Sequence, residues 1–217
     1  MKIQPEFILN AYANGIFPMA QSVNNKEVEW IKPISRGIIP LNDFYISKSL
    51  KKILKKNNYI IKVDNNFDLI ISKCAELTSS REDTWINNTI KSSFLELFSI
   101  GYAHSVEVWR DDKLLGGLYG LSLGSAFFGE SMFSNEKNGS KIALCYLVAI
   151  LKIENYSLLD IQFITDHLKR FGAIEILNNK YSTLLNNALL KTCKFSSIIS
   201  QKDCIEALEL HSKTQIS

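Results

Sequence analysis

Three side chains in the second half of this 217-residue chain are of types that move protons or orient a ligand, and they stand in otherwise apolar runs. Asp160 and Gln162 alternate with Leu159, Ile161 and Phe163 in S-L-L-D-I-Q-F. Residues two apart on a strand share a face, so both polar groups can address one ligand while the apolar ones pack behind them. A half-exposed edge strand would show the same alternation. Glu130 stands among Phe127, Phe128, Gly129, Met132 and Phe133. A carboxylate there costs free energy unless it is paired or opens on a cavity, the alternative being a strand end that faces water. If the three converge, they are groups for general acid–base work.

A different chemistry is written in Lys48, Lys51, Lys52, Lys55 and Lys56. Their spacing puts all five on one face of a helix, with Leu50, Ile53 and Leu54 on the other. Residues 41–60 hold these five lysines against one aspartate, so a formal charge of +3 for the whole chain conceals a concentrated basic stretch. Either a solvated face or the binding of a phosphate backbone accounts for such a stripe. Five glycines between Leu115 and Ser134 point to close backbone approach, bulges or a ligand over the sheet, or else to a tightly packed hairpin. No phosphate loop and no G-x-G-x-x-G pattern is present. The four cysteines, Cys74, Cys145, Cys193 and Cys204, form no C-x-x-C pair, so the expectation is reduced thiols and no metal.

The elements that must position these groups can be read from pattern. A helix is expected from Pro5 to Ala13, stopped by Gly15, and extended structure from Trp30 to Pro40. A helix starts near Ser47, a strand covers Tyr59 to Val63, and helices follow from Asn66 to Leu77 and from Ile86 to Ser99. His104 to Trp109, Leu114 to Ser122 and Ser125 to Phe133 read as three antiparallel strands, the last two joined about Leu123 and Gly124. A helix from Ser140 to Lys152 leads to a strand from Ser157 to Phe163, a helix through His167 to Phe171, and a last helix from Ser182 to Leu190. This order predicts an α+β fold in which the helix after the meander returns the next strand to the same sheet. The expected division is a small amino-terminal domain, 1–78, and a larger domain, 79–217.

At 46% hydrophobic and 22% charged residues the composition is that of a globular chain able to bury a core. The longest apolar run, the nine residues from Ala143 to Leu151, is too short to span a bilayer, and no apolar leader is evident. The expected location is cytoplasmic, with no membrane association.

Taken together, these segments resemble the leucyl/phenylalanyl-tRNA–protein transferases. The resemblance rests on A-Y-A-N-G-I-F-P-M at 11–19, W-x-x-P-x-x-R-G from Trp30, I-S-K-S-L-K-K at 46–52 and T-W-I at 84–86. It continues with A-H-S-V-E-V-W at 103–109, G-G-L-Y-G at 116–120, F-F-G-E-S-M-F-S at 127–134, S-K-x-A-L at 140–144 and D-x-Q at 160–162. It implies an acetyltransferase-like (GNAT) carboxy-terminal domain beside a small amino-terminal α/β domain. It also implies transfer of Leu or Phe, less well Met, from aminoacyl-tRNA to the α-amine of proteins beginning with Arg or Lys, creating an N-degron. The enzyme would act as a monomer and need no cofactor.

The resemblance assigns Asp160, Gln162 and Glu130 to catalysis, and Trp85 and Met19 to the terminal adenosine. Leu118, Phe127, Met132, Leu144, Leu147, Leu151 and Leu159 would line the side-chain pocket, and the lysine stripe would take acceptor-stem phosphates. With ordinary pKa values near 3.9 for an aspartate and 8 for an α-ammonium, proton transfer to Asp160 is uphill by roughly 5 kcal/mol. Asp160 and Gln162 are therefore expected to orient the amine, Asp160 serving as a base only if burial raises its pKa. Glu130 is expected to hold the amine or the basic side chain of the acceptor. The rival readings are an acyl-coenzyme A-dependent enzyme of the same fold and an RNA-binding protein without catalysis.

Overall fold

Pro5 opens helix α1 (Pro5–Ala13), and Gly15, with φ at 72°, closes it in the left-handed region that glycine tolerates. The turn sends the chain into β1 (Phe17–Met19), which pairs with β2 (Glu29–Ile31) as a two-stranded antiparallel ribbon. Next come β3 (Ser35–Ile39), helix α2 (Lys48–Lys56), β4 (Ile60–Val63), α3 (Phe67–Ala75) and α4 (Asn88–Ser99). Side-chain oxygens of Ser47, Asn66 and Asn87 accept backbone N–H bonds at the starts of α2, α3 and α4, satisfying donors a helix leaves unpaired. The meander is β5 (Ala103–Arg110), β6 (Lys113–Leu123) and β7 (Ala126–Ser134). Helix α5 (Gly139–Ile153), β8 (Leu158–Gln162), α6 (Asp166–Lys169), β9 (Ile174–Leu177), α7 (Asn178–Leu189) and α8 (Gln201–Glu209) complete the order.

This computed structural model describes residues 2–78, 82–196 and 200–209. The fold is α+β, with a mixed seven-stranded sheet in the order β4-β5-β6-β7-β8-β3-β9. Every neighbouring pair is antiparallel except β7 and β8, which run parallel because α5 carries the chain back across the sheet. One core joins the sheet to α2, α5 and α8, and a second joins its other face to α1, α3, α4 and α7. Coverage of both faces explains why β6 is buried from Leu114 to Ser122 instead of alternating. Helix α5 is buried continuously from Gly139 to Leu151 except at Lys141. It starts hard against β6: a Cβ on Gly116 would lie 2.7 Å from the carbonyl carbon of Gly139, so both glycines are needed for the approach. Among the described residues no helix is long and apolar enough to cross a membrane.

The boundary expected at Ser79 lies outside the described residues. Strands β3 and β4, both from before it, pair with strands from after it, and β3 sits between β8 and β9. The extended segment from Trp30 to Pro40 divides between two separate sheets, and β9 and α8 are elements that the pattern does not reveal.

Candidate active site

Parallel pairing of β7 with β8 runs through Ala126 with Leu158, Phe127 with Leu159 and Phe128 with Asp160, and there it stops. Each strand is irregular just beyond. On β7, Gly129 faces Gly120 while Ser131 faces Tyr119, so Glu130 is the additional residue of a bulge. On β8, Gly37 and Ile38 of β3 face Gln162 and Asp160, so Ile161 is the additional residue, and Gln162 takes a left-handed φ of 56°. The two strands part as a wedge, and a cavity of about 480 Å³ occupies it. Gly129, Glu130, Ser131 and Met132 form one wall, and Ile161, Gln162 and Phe163 the other.

At the base of the wedge, Glu130 Oε1 accepts from the Tyr12 hydroxyl at 2.8 Å and from Gln162 Nε2 at 3.2 Å. Burial pushes the Glu130 carboxyl up to about 8, with the charge of Asp160 adding to it, while the Tyr12 bond and Arg36 pull the other way. Burial, then the neighbouring Glu130, holds Tyr12 well above the ordinary tyrosine value, so its hydroxyl remains a donor. Behind this pair lies a buried ionic layer. Arg36 Nε and Nη2 grip Asp160, with bonds of 2.7–3.0 Å to its two oxygens. Tyr181 Oη donates to Asp160 Oδ2 at 2.6 Å, and the Gln162 backbone N–H donates to Oδ1 at 2.9 Å. Arg36 also donates to the Gly15 carbonyl and lies over the rings of Phe17 and Tyr181 at 4.5 and 4.7 Å. Burial, the largest single influence, would lower the Arg36 pKa, but the charge and hydrogen bonds of Asp160 together with Tyr181 and Tyr12 raise it overall and the guanidinium stays charged.

Of the residues expected at a site, Glu130, Gln162, Met19, Trp85, Leu118, Met132, Leu144, Leu147 and Leu159 all line this cavity. Three do not. Asp160 is fully buried and spends its oxygens on Arg36, Tyr181 and the Gln162 backbone, so it does not face the ligand space. The bulge at Ile161 and the left-handed Gln162 break the strand alternation that would have put Asp160 and Gln162 side by side. Ile161 is buried in the core as expected and, on the same face as Leu159, also borders the cavity. Phe127 and Leu151 belong to the core beneath α5, Phe127 stacking on Phe195 with centroids 5.2 Å apart.

Met19, Trp85 and Ser131 also line an adjoining hollow of about 340 Å³. The lysines lie on α2: Lys48, Lys52, Lys55 and Lys56 are exposed and Lys51 is half-buried. Tyr12, Arg36 and Tyr181 are participants that sequence reasoning does not assign. Two lie inside the motifs A-Y-A-N-G and W-x-x-P-x-x-R-G, and a lone arginine after a proline turn is the one available signal.

The family models and a curated relative agree on kinship. Residues 38–186 match the model of the family described as leucyl/phenylalanyl-tRNA protein transferase, and residues 1–33 match that of its N-terminal domain. The chain is 51% identical over 187 residues to a leucyl/phenylalanyl-tRNA–protein transferase of Zymomonas mobilis, covering 86% of this chain and 70% of that one. One solved structure with some likeness is the C-terminal domain of a lysylphosphatidylglycerol synthetase of Agrobacterium fabrum (TM-score 0.42, 9% identity, 86% of this chain and 57% of that one). Another is an L-PGS of Bacillus licheniformis (TM-score 0.37, 13% identity, 97% of this chain and 63% of that one).

Proposed function

The chain belongs to the leucyl/phenylalanyl-tRNA protein transferase family, and from that premise we propose that it transfers Leu or Phe, and less well Met, from aminoacyl-tRNA to proteins beginning with Arg or Lys. The product is an N-degron. In this reading β5 to β8 form an acetyltransferase-like (GNAT) sheet, and the wedge between β7 and β8 is where donor and acceptor meet. The observation that carries the reading is the placing of Glu130 and Gln162 at the base of an otherwise largely apolar cavity.

The chemistry asks little of the protein. The aminoacyl ester is already activated, so the free α-amine attacks its carbonyl carbon, the C–O bond to the ribose breaks, and an amide forms. The nitrogen loses a proton and the ribose oxygen gains one. Orientation and charge placement supply the catalysis. Glu130 is the group we assign to the amine's proton: a carboxyl at about 8 matches an ordinary α-ammonium near 8, whereas an ordinary aspartate is about four units too acidic. Gln162 orients Glu130 and the incoming amine. Asp160 acts as a positioning residue, holding Arg36 and the left-handed Gln162 peptide. Leu118, Met132, Leu144, Leu147 and Leu159 take the donor side chain, and Trp85 with Met19 borders the hollow for the terminal adenine, which an aromatic face can stack.

The test incubates the purified protein with Leu-tRNA or Phe-tRNA and peptides starting with Arg, Lys or Ala. Transfer to the first two and not to Ala is expected; equal transfer to Ala overturns the assigned acceptor. A fall in the transfer rate of Glu130→Gln is expected as well.

A further inference from the structure

Ser131 stands where two hollows meet. The wedge cavity and the adjoining hollow of about 340 Å³ share three described residues, Met19, Trp85 and Ser131, and of these only Ser131 can both give and take a proton at one oxygen. The other polar side chains belong to one hollow alone. Thr165 and His167 border the wedge; Gln21, Asp83 and Thr84 border the hollow. The last three are also occupied: Gln21 donates to Glu29, Asp83 accepts from the backbone N–H groups of Val23 and Thr84, and Thr84 Oγ1 accepts from that of Ile86. Five serines lie between Ala103 and Ser134. Ser105 bonds to Glu107, Ser122 to Tyr156, Ser125 to Ser157 and Ser134 to Ser140, at 2.6–3.2 Å. Ser131, half-buried, is the one of the five without a hydrogen-bond partner among the described residues. Successive residues of a regular strand point to opposite faces, yet Glu130 and Ser131 both line the wedge cavity, because Glu130 is the additional residue of the β7 bulge.

We propose that the Ser131 hydroxyl is a catalytic group of the transfer reaction, holding the ribose oxygen of the donor ester and passing it the proton with which it leaves. The assignment rests on the function proposed above. With the donor side chain in the wedge and the terminal adenine beside Trp85 and Met19, the ester that joins them crosses the boundary between the hollows, and Ser131 lies on that boundary. The step balances with groups already in the site. The free amine forms its bond to the ester carbon, the C–O bond to the ribose breaks, and the electron pair of that bond stays on the ribose oxygen. The extra proton on nitrogen goes to the Glu130 carboxylate, Ser131 Oγ gives its proton to the ribose oxygen, and the Glu130 carboxyl returns one to Ser131. One proton has then moved from nitrogen to oxygen, and both side chains end as they began. A serine hydroxyl is too weak an acid to ionise by itself at neutral pH, so its loss and recovery of a proton are coupled and no free alkoxide forms.

The experiment compares the full chain with its Ser131→Ala variant in single-turnover transfer from Phe-tRNA to an Arg-peptide. Loss of a positioned proton donor should slow the variant about 100-fold at saturating donor. The donor concentration giving half the maximal rate should stay within about twofold of wild type, because the contact matters as the bond breaks and not on binding. The distinguishing readout is the leaving group. In Phe-tRNA ending in 2′-fluoro-2′-deoxyadenosine the 3′-hydroxyl is more acidic than in its 2′-deoxy counterpart, so the ester oxygen departs with less help from a proton. The gain in rate from deoxy to fluoro should be about tenfold larger in Ser131→Ala than in wild type, whereas a structural defect would slow both donors alike. Ser131 has no hydrogen bond to lose, so melting within about 2 °C of wild type is expected; should the variant melt lower, the fluorine comparison still decides. A Ser131→Ala rate within about threefold of wild type, or an equal response of the two proteins to fluorine, overturns the assignment and leaves the proposed function standing. Absence of transfer by the wild type from either Phe-tRNA or Leu-tRNA overturns that function, and the assignment with it.

Discussion

With a pKa near 8, Glu130 is largely protonated at neutral pH until a cation arrives. Binding an amino-terminal Arg or Lys favours its ionised form, so acceptor binding should release a proton. The KM for an Arg-peptide should then fall as pH rises from about 6.5 to about 8.5, and that dependence should be shallower in Glu130→Gln, where only the α-amine near 8 still titrates. Stability moves the other way. The carboxyl rises from 4.5 to about 8 on folding, so between these values the native chain holds a proton that the unfolded chain has lost. Stability should therefore decline with pH across this window by up to about 1.4 kcal/mol per unit. Melting curves of Glu130→Gln from about pH 5 to about pH 8 should lose that component. Arg36→Met leaves Asp160 buried without its counter-charge, and a loss of about 3–5 kcal/mol is expected in denaturant titrations. Glu130 is legible in the sequence because a carboxylate in an apolar run is conspicuous. Arg36 is not, since its partner is 124 positions away and no local period encodes such a pairing.

Strand irregularity decides what the site contains. Regular alternation would have placed Asp160 and Gln162 on one face; the bulge on β8 and the left-handed Gln162 separate them and bring Gln162 alone into the wedge, and a second bulge on β7 turns Glu130 inward. Bulges have no reliable signature in a single sequence, although the glycines at 116–129 hint at them. Capped, periodic helices read well: α1 runs from Pro5 to Ala13 as its sequence suggests, and Ser47 caps α2. Strand β9 escapes because I-E-I-L is short and mostly exposed. For α2 the expectation concerns salt. Replacing Lys51 and Lys52 by Gln should reduce the salt slope of minihelix binding by about 1.8, the value for two duplex phosphates, with or without the CCA end. An unchanged slope would return the stripe to a solvated face.

At the scale of the molecule, the sheet ties the chain's beginning to its end. Because β3 lies between β8 and β9, and β4 edges the meander, unfolding should be one cooperative event. Far-UV circular dichroism and the fluorescence of a variant keeping only Trp30 should report the same midpoint; separate transitions would show that the amino-terminal part melts alone. The placement of β3 also bears on synthesis. Its residues are complete at Ile39, yet its second neighbour ends at Leu177. At about 5–20 residues per second a ribosome needs roughly 7–28 s to cover that interval. Throughout it, an apolar strand waits with unpaired edges, and the Arg36 that will hold the active site has no Asp160 to bind. The nascent chain is thus most exposed to misassociation over its middle stretch, and the active site is among the last features that translation completes.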